Sequence, residues 1–207
     1  MSAVHVSRHP LVLHNLSLLR SETTEPSRFR ALVHEIARLL FYEASQDLRL
    51  EDVSLRTPLA PCLGQRLADK LALVPILRAG LGMAEAMLEL VPDAQVWHLG
   101  LYRDHKTLQP VTYYQRVPAC PGIGWAAVID PMLATGGSAV AAVDILKTWG
   151  VTGIRFIGLI AAPEGVRRLQ SAHPDVPIFL AAVDSHLDEH SYIVPGLGDA
   201  GDRQFGT

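Results

Sequence analysis

Residues 10–20 carry Leu11, Leu16, Leu18 and Leu19 among polar neighbours and predict a short helix. From Pro26, which suits the first turn of a helix, apolar Phe29, Leu32, Val33, Ile36, Leu39 and Leu40 recur at spacings of three and four and predict a second helix. Residues 47–60 are mixed, with Val53 and Leu55 alternating as in a strand, and Pro58, Pro61 and Gly64 punctuate the stretch after them. From residue 70 the pattern changes to short unbroken apolar runs. Strands are expected at 71–77, 95–101, 125–129, 154–162 and 176–183, with helices at 81–90, 139–149 and 163–172 between them. Residues 102–118, polar and aromatic, predict a projecting hairpin in which Tyr113 and Tyr114 pack. Residues 195–207 hold four glycines and little apolar content. Such a tail frays unless its glycines bring the backbone onto a ligand.

Strands alternating with helices of about ten residues predict βαβ units, hence an α/β fold with a parallel sheet covered on both faces. Ligands then bind beyond the carboxyl ends of the strands. The 207 residues suit one domain, expected to span 1–207. With 49% hydrophobic and 19% charged residues, the chain can bury a sizeable core, which excludes a mainly disordered state. The formal charge of −3 provides no basic surplus for sequence-independent nucleic-acid binding. Cys62 and Cys120 form no metal-type pair, which fits a reducing compartment. His14 and Asn15 interrupt the early leucines, so no signal-peptide core is expected, nor is any membrane span; the expected location is the cytoplasm. Asn15-Leu16-Ser17 reads as a chance glycosylation sequon.

The segment richest in chemistry runs from Ala126 to Ser138. An apolar strand delivers Asp130, then Pro131, Met132, Leu133 and Ala134 lead into Thr135-Gly136-Gly137-Ser138 at the start of a helix. The glycines let backbone N–H groups wrap an anion, Thr135 and Ser138 add hydroxyl donors, and the helix N-terminus adds positive potential. Asp130 can accept hydrogen bonds from sugar hydroxyls, so a phosphate beside a ribose is the natural ligand. The bland alternative is a β-turn followed by an ordinary helix cap. A P-loop does not fit, because no lysine follows Gly137. Gly196-Leu197-Gly198-Asp199-Ala200-Gly201 spells GxGxxG, but only six residues remain after it, too few for a dinucleotide-binding unit.

The Ala126–Ser138 segment resembles the phosphoribosyl-pyrophosphate (PRPP) signature of type I phosphoribosyltransferases. With Pro131 in place of the second of two tandem acids, it looks like the uracil phosphoribosyltransferase version. The likeness continues through 74–83 (VPILRAGLGM), 161–165 (AAPEG), 172–176 (AHPDV) and 192–202 (YIVPGLGDAGD). It implies transfer of ribose 5-phosphate from PRPP to N1 of uracil, giving UMP and diphosphate. It implies that Ala134 to Ser138 hold the 5′-phosphate, that Asp130 holds ribose hydroxyls, and that Pro131, Met132 and Leu133 complete the PRPP site. Arg78 and Arg103 would contact pyrophosphate, whose departing charge arginine can stabilise without losing its proton. Ile193, Gly198 and Ala200 would read uracil through backbone groups, with Asp199 on the ribose and magnesium side and a weak candidate for removing the uracil N1 proton. Against cytosine, a backbone donor facing the amino group would cost about 1–3 kcal/mol. The resemblance further implies Mg²⁺ carried with the substrate, GTP as an activator of some members, a fold with a projecting hairpin and a small hood built from terminal segments, and a homodimer or larger homo-oligomer, for which the early leucine-rich helices could serve.

Other readings carry less. His34-Glu35 does not continue as HExxH, and His173 and His190 read as structural or surface residues. His186, Asp188 and the run Asp104-His105-Lys106 depart from the family pattern near the expected site. A regulator of the same fold that binds RNA, or a sensor that binds PRPP without turnover, is the rival reading. The single acid at Asp130-Pro131 and the net charge argue against an RNA-binding regulator, and intact Asp130, Thr135, Arg78 and Asp199 argue against a sensor.

Overall fold

The computed structural model describes residues 3–103, 110–115 and 122–207; of the side chains at 101–113 and 115 nothing is described. The chain opens with β1 (Val4–Val6), α1 (Pro10–Arg20) and α2 (Pro26–Ala44), and continues through β2 (Leu50–Arg56) and β3 (Pro61–Leu67). Next come β4 (Leu71–Leu77), α3 (Leu81–Leu88), β5 (Gln95–Val96), β6 (Leu99–Arg103) and β7 (Pro110–Gln115). Then follow β8 (Trp125–Ile129), β9 (Met132–Leu133), α4 (Gly137–Thr148), β10 (Ile154–Ala161) and α5 (Pro163–Ala172). The chain closes with β11 (Ile178–Val183), β12 (His186–Leu187), β13 (Ile193–Val194) and α6 (Ala200–Phe205).

Proline occupies the first turn of α1, α2 and α5, where its missing N–H is not needed. His9 Nδ1 caps α1 by accepting the Leu11 N–H at 3.2 Å. The main sheet has the order β1-β11-β10-β8-β4-β6-β7, with β5 beside β4 and β9 beside β10. Its pairs are parallel except β6 with β7, which closes one edge as an antiparallel hairpin. Both faces are covered, and successive strand residues enter opposite layers. Leu71, Leu73, Trp125, Ala127, Ile129, Phe179 and Ala181 pack toward α1, α2 and α3. Ala72, Val74, Ile76, Ala126, Val128, Ile178 and Leu180 pack toward α4 and α5. The unbroken apolar runs in the sequence reflect this two-sided burial.

The α/β expectation and the helices from Pro10, Pro26 and Pro163 agree with the structure. So do the strands expected at 71–77 and 125–129. At several other places the structure differs. The strand expected over 95–101 is interrupted at Trp97, whose ring turns into the core against Trp149 at 6.1 Å, so β5 and β6 separate. The predicted hairpin begins earlier, at Leu99; its turn, with Asp104, His105 and Lys106, lies outside the described residues. Tyr114 is exposed rather than packed within the hairpin, and the side chain of Tyr113 lies outside the described residues. The mixed stretch 47–60 is the first arm of a two-stranded hairpin, β2–β3, paired from Leu50↔Leu67 to Arg56↔Pro61. The glycine-rich tail is not frayed: it ends in α6, docked on α2. Asn15 is buried and donates to Glu35 Oε2 at 2.9 Å, which closes the sequon to modification. Among the described residues no helix is long and apolar enough to cross a membrane.

Helix α2 is the keel beneath both termini. Phe29, fully buried, packs in the core and carries the Arg203 guanidinium over its ring at 4.5 Å. Replacing Phe29 by Ala removes a large buried ring and the seat of α6 together. Denaturant unfolding should register a loss of about 3–5 kcal/mol.

Candidate active site

Strand β8 ends at Ile129, and Asp130 leaves the sheet at its carboxyl edge. The chain turns back at once: Leu159 and Ile160 N–H both donate to Pro131 O at 3.0 Å, and β9 pairs with the end of β10. The Met132 N–H donates to Asp130 Oδ1 at 3.3 Å. Gly136 then adopts φ +77°, a conformation costly for any residue with a Cβ, and caps α4 without a side-chain acceptor. The first-turn N–H groups of α4 are therefore left to an external anion. Helix α5 packs under this turn so tightly that a Cβ on Gly165 would meet the Leu133 carbonyl at 2.5 Å. Asp130, Met132 to Ser138 and Ala139 line a cleft of about 80 Å³, with Thr135 and Ser138 half-buried at its wall.

Two further loops meet this turn. A Cβ on Gly80 would lie 2.5 Å from Ile129 O, so the Arg78-Ala79-Gly80 loop rests on the backbone just before Asp130. The Leu77–Arg78 peptide is cis, as is Val194–Pro195. Gln204, almost fully buried, donates from Nε2 to Ala79 O at 3.0 Å and to Ala200 O at 3.1 Å, fastening α6 to the Arg78 loop. Asp199 caps α6 by accepting the Asp202 N–H at 2.9 Å and is itself exposed. The Arg78 guanidinium is also open to solvent, 3.5 Å from Asp202 Oδ1 and 5.8 Å from the centre of the Phe205 ring.

The structure thus brings together Asp130, residues 131–138, Arg78 and Asp199. Gly198, at φ +76°, precedes Asp199 and the buried Ala200 follows it, while Ile193, also buried, lies in the small β12–β13 sheet. Arg103 closes β6, but its side chain lies outside the described residues. The departures His186 and Asp188 fall in the hood. His186 pairs with Val194, and Asp188 Oδ1 accepts the N–H groups of His190 and Tyr192 at 2.9 and 2.8 Å, shaping a turn. His173 is buried, its Nε2 3.3 Å from Val140 O, while His190 is exposed; both serve structure or surface. Sequence reasoning missed Gln204 and Asp202 because the role of each depends on a partner distant in the chain or on the cap of a helix not foreseen. It also missed Arg168, whose guanidinium lies against Gly137, 3.5 Å from Thr135 O.

Asp130 has one edge open to the cleft but is otherwise enclosed by protein. Burial pushes its carboxyl up from 3.8 to about 7; the Met132 N–H pulls it down and the charge of Asp199 adds to the rise. A carboxyl poised near neutrality at the mouth of a cleft marks a functional position. Among the described residues no cluster of three or more His, Cys, Asp or Glu could hold a metal ion alone. The pair Asp130 and Asp199 fits a divalent cation that arrives on a phosphate-bearing substrate and takes its remaining oxygens from that substrate and water.

Residues 6–207 match the family model described as uracil phosphoribosyltransferase. The chain is 62% identical over 207 residues to a uracil phosphoribosyltransferase of Roseiflexus castenholzii, covering all of both chains. It is 56% identical over 208 residues to that of Streptococcus pyogenes serotype M1, again covering all of both. A solved structure of an Aquifex aeolicus protein superposes with a TM-score of 0.93 at 36% identity, covering 99% of this chain and 98% of that one. Adenine phosphoribosyltransferase from Thermoanaerobacter pseudethanolicus shares the fold at a TM-score of 0.56 and 11% identity, covering 83% of this chain and 99% of that one.

The raised carboxyl has a consequence for stability. The native fold holds the Asp130 proton more tightly than the unfolded chain does, with a native value of about 7 against 3.8. The resulting stabilisation is complete below about pH 4 and is lost as pH rises through 7. Asp130→Asn should flatten that dependence and leave the protein more stable than the wild type at pH 8. The gain should be about 2 kcal/mol, less than the full shift would give because one edge of the carboxyl faces water. Urea unfolding at pH 5 and pH 8 measures both changes.

Proposed function

The chain belongs to the uracil phosphoribosyltransferase family, and from that premise we propose how its residues divide the reaction. The protein transfers ribose 5-phosphate from PRPP to N1 of uracil, giving UMP and diphosphate, a salvage reaction. The observation that carries the assignment of roles is the meeting of three loops, 78–80, 130–138 and 198–202, at one carboxyl edge of the sheet.

The backbone N–H groups from Ala134 to Ser138, with the Thr135 and Ser138 hydroxyls, grip the 5′-phosphate. Asp130 accepts from the ribose hydroxyls, flanked by Pro131, Met132 and Leu133. As the bond to diphosphate breaks, positive charge develops on the ribose and negative charge on the leaving group. The Asp130 carboxylate faces the first, while Arg78, leaving Asp202, and Arg103 meet the second. Asp130 and Asp199 would hold Mg²⁺ arriving on the diphosphate, and the ion would supply neutralisation of part of the leaving-group charge. Uracil lies against the loop from Ile193 to Ala200, its edge read by the backbone of Ile193, Gly198 and Ala200. Asp199 is the nearest carboxylate for the N1 proton, although one of its oxygens already caps α6. The roles treat residues 1–207 as one domain. The cytoplasm is the natural setting, and the exposed free thiol of Cys62 supports a reducing compartment.

The reading is tested with purified protein, labelled uracil, PRPP and Mg²⁺, with cytosine, hypoxanthine and orotate as control bases and GTP added in parallel to test activation. UMP should form from uracil alone. Asp130→Asn should lower kcat/KM at least about a hundredfold, since it removes charge from the reacting centre. Arg78→Ala should raise the KM for PRPP well above any change in that for uracil. An unchanged kcat/KM in the first variant, or a change confined to uracil in the second, would sink those roles. In the unliganded enzyme kcat/KM for PRPP should fall as pH drops below about 7, following the Asp130 carboxyl.

The homo-oligomer belongs to the same proposal, with the β2–β3 hairpin as a contact beside the early helices, where Leu11, Leu13 and Leu18 are exposed. By the pairing register Leu50, Leu63 and Leu67 share one face of this hairpin, and Leu59 at its tip is 94% exposed. An exposed apolar arm of this kind needs a cover, and a second copy provides one. Sedimentation at micromolar concentration should give at least a dimer, and Leu59→Asp combined with Leu63→Asp should return it to a 22.5 kDa monomer. A monomeric wild type would overturn this part.

A further inference from the structure

Arg20 closes α1 and Asp184 follows β11, far apart in sequence, yet their side chains meet in a fork. Arg20 donates from Nη2 to Asp184 Oδ1 at 2.5 Å and from Nη1 to Asp184 Oδ2 at 2.7 Å. The Asp184 side chain is only 4% exposed and that of Arg20 23%. Both then grasp one residue. The Gly196 N–H donates to Asp184 Oδ2 at 2.9 Å, and the Gly196 carbonyl accepts from Arg20 Nη1 at 2.6 Å. Gly196 itself has φ +63°, and a Cβ there would strike the Ile193 carbonyl. Just beyond Asp184, the Ser185 N–H donates to Val194 O at 2.9 Å, closing the same turn from the other side.

A buried ion pair is a poor means of gaining stability, because desolvation consumes most of the Coulomb attraction. Its strength lies in direction, since a fork with both ends fixed tolerates little displacement. Here everything it fixes lies between Ile193 and Gly198. Neither charged group has a part in the roles assigned above. We propose that the Arg20–Asp184 pair is the positioning device of the uracil-reading loop, holding Gly196 so that the backbone of Ile193 and Gly198 meets the edge of the base. The proposal rests on the reading of that loop as the uracil site. The pair governs uracil affinity and the choice of base, and leaves the 5′-phosphate turn alone.

The test compares wild type with Asp184→Asn, Arg20→Gln and Arg20→Lys. It uses steady-state kinetics for each substrate, the rate with cytosine, and calorimetric binding of ribose 5-phosphate. In Asp184→Asn and Arg20→Gln the KM for uracil should rise about tenfold, as for one backbone contact misplaced in a dry site. The uracil-to-cytosine rate ratio should fall. The KM for PRPP and the affinity for ribose 5-phosphate should stay within about twofold. Arg20→Lys, which keeps the charge and loses the fork, should fall between and guards against a variant that fails to fold. Parallel rises in both KM values, or a lower unfolding midpoint with uracil KM unchanged, would overturn the proposal. Gly198→Ala, at φ +76°, separates the two readings. If Gly198→Ala raises the uracil KM and Asp184→Asn does not, only the positioning role fails. If Gly198→Ala leaves it unchanged, the loop is not the uracil site, and the positioning role fails with it.

Discussion

Asp130 is a carboxyl enclosed at the end of a buried strand with the charge of a second carboxylate, Asp199, acting on it, and the surrounding loops are arranged around that unfavourable charge. The fold does not relieve it. A single backbone donor, Met132 N–H, leans the other way, and no ion pair with an arginine or lysine is formed among the described residues. On the proposed roles the relief comes from the ligand, because ribose hydroxyls and a divalent cation would both favour the carboxylate. On that reading the fold holds a destabilised charge in readiness, and substrate binding would relieve it.

The loops can close on Asp130 only because backbone meets backbone. The close approach of Gly80 to the Ile129 carbonyl and of Gly165 to the Leu133 carbonyl leaves no room for a methyl group. These contacts transmit position as well as save space. Helix α5 supports the 133–137 turn from below, and the Arg78 loop is registered against the strand that delivers Asp130. Helix α6 completes the arrangement through Gln204, which bonds to Ala79 on one side and to Ala200 on the other. The Arg78 loop and the start of α6 are thus held by one side chain, and neither can shift without straining the other.

What was legible in the sequence was what is local or buried. The sheet could be read because both its faces are covered, so its strands are continuous apolar runs. The glycine turn opening α4 and the cleft beside it could be read because the pattern lies in nine consecutive residues, from Asp130 to Ser138. Of the β2–β3 hairpin only the alternation of Val53 and Leu55 showed; the second arm was obscured because its leucines face solvent instead of marking a core face. Helix α6 was obscured because its short segment holds a glycine and few apolar residues; tertiary bonds from Gln204 and Arg203 hold it instead of its own propensity. The Arg20–Asp184 fork spans 164 residues, and no spacing rule reaches that far.

The resting place of Arg78 is set by the same electrostatics. Without substrate, its guanidinium faces the Asp202 carboxylate and the Phe205 ring, both on α6. Each of these contacts is weak, because each partner is open to water. A diphosphate would offer a bidentate partner of higher charge, so in the role proposed for it the arginine would exchange a loose carboxylate for a tighter anion with little loss. Asp202 is left beside Asp199 in the first turn of α6, where the positive end of the helix accommodates its charge. On the proposed roles, arrival of PRPP would alter the contacts of the helix that follows the 193–200 loop, while the Arg20–Asp184 fork would hold the other end of that loop still.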